Sequence, residues 1–347
     1  MSDKNMDSSN NTAIASSASS PNAKPMSAPP PFSAIGVVLC VTVFSLRGMP
    51  SWKEIDAVAT VEAFTTPVLP SLLSTRSIGI IRCLIACFML GAITMRMLGP
   101  GSEIFQVPNP SKSKLKPWKM RMCGILILAT FTYWSFLLLG LYFLASGIIC
   151  LISSFGLLDE NGDNDYLIHS FLIPWLLRFS LLSFEISAPG AFLVSTVVRY
   201  GLWPAALKSR GPDGTILFRS FMGLVTHNVT VLFVLTEICF LGGTPVLMNH
   251  MAVGPVMVIL YILFSWYMMN RWQPGMGPRF IYFFLDTTVP KYECAIALFV
   301  LVTVLMGFYI MVAQMYLLLE SYLDDDTVLP RILITVGLSS AVCRFRN

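Results

Sequence analysis

Six stretches of this chain are apolar for about 20 residues or more, the length needed to cross the hydrocarbon of a bilayer. They lie at 77–98, 122–156, 179–198, 218–243, 250–270 and 293–319. Polar residues gather between them, and the sign of the charge alternates from one connection to the next. Segments 96–121, 199–219 and 271–292 carry more lysine and arginine than acid, with Lys112, Lys114, Lys116, Lys119 and Arg121 in the first. The opposite connections are acidic or neutral, with Asp159, Glu160, Asp163 and Asp165 in one and 320–326 in another. By the positive-inside rule the basic set faces the cytosol. A lipid-embedded segment must satisfy its own backbone, so the pattern predicts an all-α polytopic membrane bundle with a six-helix core over 77–319.

The flanks are weaker. Residues 1–31 are rich in Ser, Asn, Ala and Pro and predict a disordered tail, since they cannot bury enough apolar surface to offset ordering. No compact basic and apolar pair marks a cleavable signal there. Phe32 to Leu46 is apolar but short and Ser51 to Arg76 is mixed, so 32–76 reads as a flanking segment that spans marginally or lies at the interface. The tail 320–347 pairs an acidic loop with a short apolar segment, Val328 to Cys343. The run 122–156 exceeds one crossing and predicts a tilted or protruding helix. Pro174 is expected to break an interfacial helix ahead of the third span, and 199–219 reads as a basic loop.

Composition agrees with this division. The chain is 55% hydrophobic and 12% charged, against about 25% charged in ordinary soluble domains. It is an integral, multi-pass membrane protein, in an endomembrane or the plasma membrane. No basic block interleaved with aromatics points to nucleic acid, and protein partners are not legible. The 8 cysteines include no Cys-x-x-Cys pair and no histidine at metal-ligand spacing. Cys83 and Cys87 share a helix face and read as packing. No metal or organic cofactor is implied.

Chemistry concentrates in 218–243, which carries His227 and Glu237 inside a span. Ionisable groups at that depth face a cavity or a partner. One reading is a polar cluster that joins helices, with Thr226, Asn228 and Thr230 beside the ring. A second is a membrane transporter with His227 and Glu237 in a proton or solute path, against which stands the absence of an internal repeat or paired broken helices in the sequence. The third is a general base. The second span offers Thr130 and Thr132, whose hydroxyls attack an acyl carbon only if a base removes their proton, so a threonine and an imidazole together supply nucleophile and activator. Threonines in membrane helices commonly bond their own backbone, and that reading of Thr132 stands beside the catalytic one. Asn228, Tyr133 and Trp134 are candidate donors for an oxyanion. Tyr282 and Asp286, with the Gly275/Gly277 loop, are candidates for a cytosolic mouth. Arg178 and Glu185, seven apart, predict an ion pair on one helix face. Arg82 reads as snorkelling, Glu237 as a packing or snorkelling residue near the far surface, and His169 and His250 as ordinary interface residues.

Three motifs together resemble the androgen-induced membrane protein family: His227 with Val-Leu-Phe-Val-Leu-Thr-Glu ending at Glu237, the Thr132-Tyr-Trp helix with Tyr142-Phe143, and Arg279-Phe-Ile-Tyr-Phe-Phe-Leu-Asp286. The resemblance covers about Met122 to Pro290. It implies a six-span bundle and a threonine-dependent hydrolase of fatty-acid esters of hydroxy fatty acids, with a membrane lipid as substrate. The catalytic pair it implies is Thr132, by its distance from Tyr142-Phe143, and His227, by its distance from Glu237. Thr130 remains a rival nucleophile. The chain departs from the family where Asn270-Arg271-Trp272 replaces a histidine pair and where the loop before Tyr282 is longer.

Overall fold

The long apolar runs become long helices even where they carry an internal glycine or, at Pro189, a proline. The computed structural model describes residues 29–106, 112–115, 117–157, 172–242, 244–273, 277–290, 292–323 and 327–345. The expected disorder over 1–28, the acidic residues Asp159 to Asp165, His169, Gly275 and 324–326 lie outside these residues.

Helix α1 (Phe32–Arg47) is bent by 67° from α2 (Trp52–Val58). Ser51 starts α2 with a capping box: its hydroxyl accepts from Glu54 N, and the Glu54 carboxylate accepts from Ser51 N at 2.7 Å. Short α3 (Val61–Thr65) leads to the first long span, α4 (Thr75–Leu98). An antiparallel hairpin of β1 (Ser102–Gln106) and β2 (Trp118–Met122) follows, with Ser102 opposite Met122. A 3-10 turn, Gly124–Ala129, enters α5 (Phe131–Ser154). Next come α6 (Ile173–Val197), a π-helical turn Val198–Leu202, α7 (Trp203–Arg210) and α8 (Ile216–Arg219). Helix α9 (Phe221–Leu224) runs through a second π turn, Val225–Val229, into α10 (Thr230–Phe240). A 3-10 stretch Met248–Val253 opens α11 (Val256–Met268), and α12 (Glu293–Tyr322) and α13 (Val328–Val342) complete the chain.

Among the described residues the bundle is all-α apart from one hairpin, and six helical stretches are long and apolar enough to cross a membrane, or seven if the bent α1–α2 pair counts as one. Three sequence expectations change. The excess apolar residues at 122–130 do not lengthen α5; they form the end of β2 and the 3-10 turn. Pro174 does not break a helix, because it sits in the first turn of α6, where its missing N–H costs nothing. The basic segment 199–219 is helical almost throughout rather than a loop.

Small residues set the closest packing. A Cβ on Gly147 of α5 would stand 2.8 Å from Cys83 Sγ and 3.1 Å from its backbone N, so α4 and α5 meet nearly backbone to backbone. All eight cysteines are free, and Cys83 packs here.

The charges inside the spans find partners across helices, not along them. Arg82 does not snorkel. It is fully buried: its Nε donates to Glu237 Oε2 at 3.0 Å, Nη2 bonds Oε1, and Nη1 donates to Phe64 O at 2.6 Å. Glu237, also fully buried, accepts from Thr244 Oγ1 at 3.3 Å, and Tyr142 bonds the same hydroxyl within hydrogen-bond distance. The predicted Arg178–Glu185 pair is not formed. Seven residues separate the two by about 10 Å of helix rise, and each has a nearer partner. Arg178 bonds Asp56 at 2.6 and 2.8 Å, under Trp52 and Trp175. Glu185 lies 3.0 and 3.1 Å from His250 Nδ1 and accepts from Leu247 N at 3.2 Å. His250 is therefore a fully buried partner, not an interface residue.

Candidate functional site

Thr132 lies in the first turn of α5 and is 7% exposed. Because that helix begins at Phe131, the hydroxyl sits about 3 Å along it, whereas His227 is the seventh residue after Ser220. The two are thus less closely matched in depth than the sequence implied. Thr132 lines a small chamber of about 40 Å³ whose other walls are almost wholly apolar, from Leu193, Val194 and Val198 of the third span and Val258 and Ile262 of α11. Two tyrosines join the lining, Tyr261 of α11 and Tyr282, the latter delivered from the loop before α12, so Thr132 and Tyr282 line the same chamber. Burial pushes the Tyr282 phenol above its ordinary range, and the nearby hydroxyls of Thr132 and Thr130 oppose that rise. Its ring is held by stacking on Phe284, 5.1 Å between centroids, and edge-on to Tyr261 at 5.9 Å.

A second, larger space adjoins this one. An open groove of about 690 Å³ runs between α5 and α11, lined by Leu137, Leu141, Leu260, Phe264 and Trp272 among other apolar residues. Trp134 and Tyr261, edge to face at 5.4 Å, stand between chamber and groove. Trp134 Nε1 donates to Leu128 O at 2.6 Å and Tyr261 OH donates to Ala129 O at 2.8 Å, so the 3-10 turn pins this partition.

His227 does not line the chamber. Its ring faces Phe218, 6.0 Å between centroids, and its Nδ1 is buried with no hydrogen-bond partner among the described residues. Among the described residues no hydrogen bond joins Thr132 to His227. The segments that carry them do touch, because the π turn Val225–Val229 packs on α5 and α6. Extra turns of this π type arise where a helix takes one more residue, and they recur at functional sites.

Several expected donors are committed elsewhere. Asn228 Nδ2 donates to Arg344 O at 2.7 Å, and its Oδ1 accepts from Arg344 N at 3.1 Å. Thr230 and Thr226 bond back to Thr226 O at 3.3 Å and Met222 O at 2.8 Å, the local pattern expected of helix threonines. Thr130 precedes the first turn of α5 without capping it, and its hydroxyl donates back to Ile127 O at 3.4 Å. Tyr133 is half-buried and outside the chamber lining. Asp286 is a loop organiser: it accepts from Thr288 N at 2.8 Å and from the hydroxyls of Thr288 and Ser113, which ties residues 112–115 to the Tyr282 loop. Tyr261 and the 193–198 wall escaped sequence reasoning, since both look like any apolar helix face.

Comparison of the chain with protein-family models, with curated proteins and with solved structures finds no match in any of the three.

Proposed function

We propose that this chain is an integral membrane hydrolase of lipid esters, with Thr132 as nucleophile, His227 as base, and fatty-acid esters of hydroxy fatty acids as the first substrates to test. The observation that supports the reading is that the Thr132 hydroxyl and the Tyr282 phenol line one small, mostly apolar chamber. The adjoining groove falls within the roughly 300–1,000 Å³ of ordinary ligand sites and suits a hydrocarbon chain entering from the bilayer. The resemblance of the Thr132, His227 and Arg279–Asp286 motifs to the androgen-induced family points the same way.

In this scheme Thr132 Oγ1 attacks the ester carbonyl and gives its proton to His227, and the Tyr282 hydroxyl donates to the developing oxyanion. Collapse expels the alkoxide, which takes the proton from the imidazolium, leaving an acyl-threonine. Water from the basic end, assigned to the cytosol, then attacks that ester; His227 takes its proton and returns it to the departing Thr132 oxygen, which releases the fatty acid and restores the hydroxyl. Proton transfer needs the imidazole within about 3 Å of the hydroxyl or one water away. The ring must turn from Phe218 toward α5, and its partnerless Nδ1 is the atom that would accept.

One observation favours a second reading, a lipid-binding membrane protein without hydrolysis: Thr132 and His227 share no hydrogen bond, while the apolar groove is already open. A fluorophosphonate probe on the purified chain separates the two. The hydrolase reading expects labelling that is lost in Thr132→Ala and in His227→Ala and kept in Thr130→Ala. Absence of labelling in the parent, or undiminished labelling of Thr132→Ala, overturns it and leaves lipid binding.

A further inference from the structure

The segment that leaves α13 bonds residues of both π turns. A helix ends with four carbonyls that lack intrahelical donors. At the end of α13, residues of the third span supply donors for all of Ser340 to Cys343. Arg199 Nη1 donates to Cys343 O at 2.6 Å and also bonds Ser340 O. Tyr200 OH donates to Ala341 O at 2.8 Å, and the Ser195 hydroxyl reaches Val342 O at 3.3 Å. The next residue is gripped by the other π turn, where Asn228 takes both the N–H and the carbonyl of Arg344. Cys343 Sγ lies 3.6 Å from Asn228 O, and the residue is 4% exposed. The Arg344 guanidinium then covers the Trp203 ring at 4.6 Å, Trp203 stacks on Phe218 at 5.9 Å, and Phe218 faces His227 at 6.0 Å.

From this geometry we infer that Ser340–Arg344 is a latch. Seated, it staples the Val198–Leu202 turn to the Val225–Val229 turn and closes the approach to His227 from the basic end. Released, it uncovers Trp203 and frees the His227 turn to move. The physical basis is that π turns are the weak points of both helices, and both are held by the same five residues. Arg199 matters most, since it places a cation on the negative end of the α13 dipole while bonding two of its carbonyls. Asn228 is a positioning residue in this scheme: it acts on its neighbour His227 only through the latch. The inference goes beyond the hydrolase reading, and its test uses no substrate, so failure of ester hydrolysis leaves the latch standing or falling on its own result.

Two chemical probes read the latch in the full-length protein in nanodiscs, with peptides resolved by mass spectrometry. Maleimide alkylation of Cys343 reports release, and diethyl pyrocarbonate modification of His227 reports access. In Arg199→Gln, which loses the charged bonds, both rates should rise about tenfold over the parent. In Tyr200→Phe, which loses one neutral bond on an exposed residue, they should rise about threefold. His250, fully buried beside Glu185, is the internal control and should not change. If Arg199→Gln also exposes His250, the milder Tyr200→Phe decides. Cys343 alkylated at the parent's rate in a variant with His250 protected overturns the latch. So does a His227 rate that stays fixed while Cys343 is released.

Discussion

Replacing Glu237 with alanine tests the claim that buried charges in this bundle are joined across helices. In the parent, the carboxylate receives Arg82 Nε and Nη2 and the Thr244 hydroxyl, and both charged side chains have no solvent exposure. Glu237→Ala leaves the guanidinium buried with Phe64 O and Cys150 Sγ as its remaining contacts. Removing one partner of such a pair costs about 3–5 kcal/mol, because the other charge stays desolvated and uncompensated. Replacing both by apolar groups of similar volume is often nearly neutral. Thr244 loses its acceptor in either variant, a cost of about 1 kcal/mol. Arg82→Met/Glu237→Leu should therefore be about 2 kcal/mol or more stabler than Glu237→Ala alone. Equilibrium unfolding in mixed micelles of rising SDS content, followed by near-UV circular dichroism, gives all the values needed. The reasoning fails if the double variant is as unstable as the single one, or if Glu237→Ala loses less than about 1 kcal/mol.

The remaining predictions concern other sites. Because burial raises the Tyr282 phenol above its usual range, the stability tied to its neutral form is present below about pH 10 and is lost as pH climbs through the raised value. A spectroscopic titration should show no difference in tyrosinate signal between the parent and Tyr282→Phe at about pH 10, and a difference only above it. Arg178→Ala, which breaks an ion pair at the rim of the bundle, should shift the SDS midpoint less than His250→Ala, which strips a fully buried carboxylate of its partner; equal shifts would contradict the assignment. Gly147→Val forces a side chain into Cys83 and should cost about 1–3 kcal/mol, whereas Gly91→Ala, with nothing within 4 Å of the new Cβ, should be neutral or stabilising in the same unfolding assay.

Much of the candidate site was visible before any fold was known, though not its connections. Thr132 and His227 stood out because polar groups in apolar spans are costly and therefore conspicuous, and Tyr282 because it lies in the loop expected to shape the cytosolic mouth. Thr132 and Tyr282 do line one chamber. Asn228 and Trp134 were expected as oxyanion donors, yet each bonds a backbone carbonyl, of Arg344 and Leu128. Their type announced a capacity to donate, but which acceptor lies within reach depends on chain segments far away in sequence. The latch was invisible for the same reason: nothing about Arg199 or Tyr200 in a basic stretch says that α13 ends beside them.

What the sequence determined by itself is the number and place of the six spans, because hydrocarbon thickness and backbone hydrogen bonding act locally on each run of about 20 residues. Only the tertiary structure decided which charge meets which. Arg82 finds Glu237 and Glu185 finds His250 across helices, while the sequence suggested a snorkelling arginine and a pair within one helix. Helix period fixes which face a residue lies on, but a buried charge is settled by whichever opposite charge packing brings within about 3 Å, and packing is a property of the whole bundle.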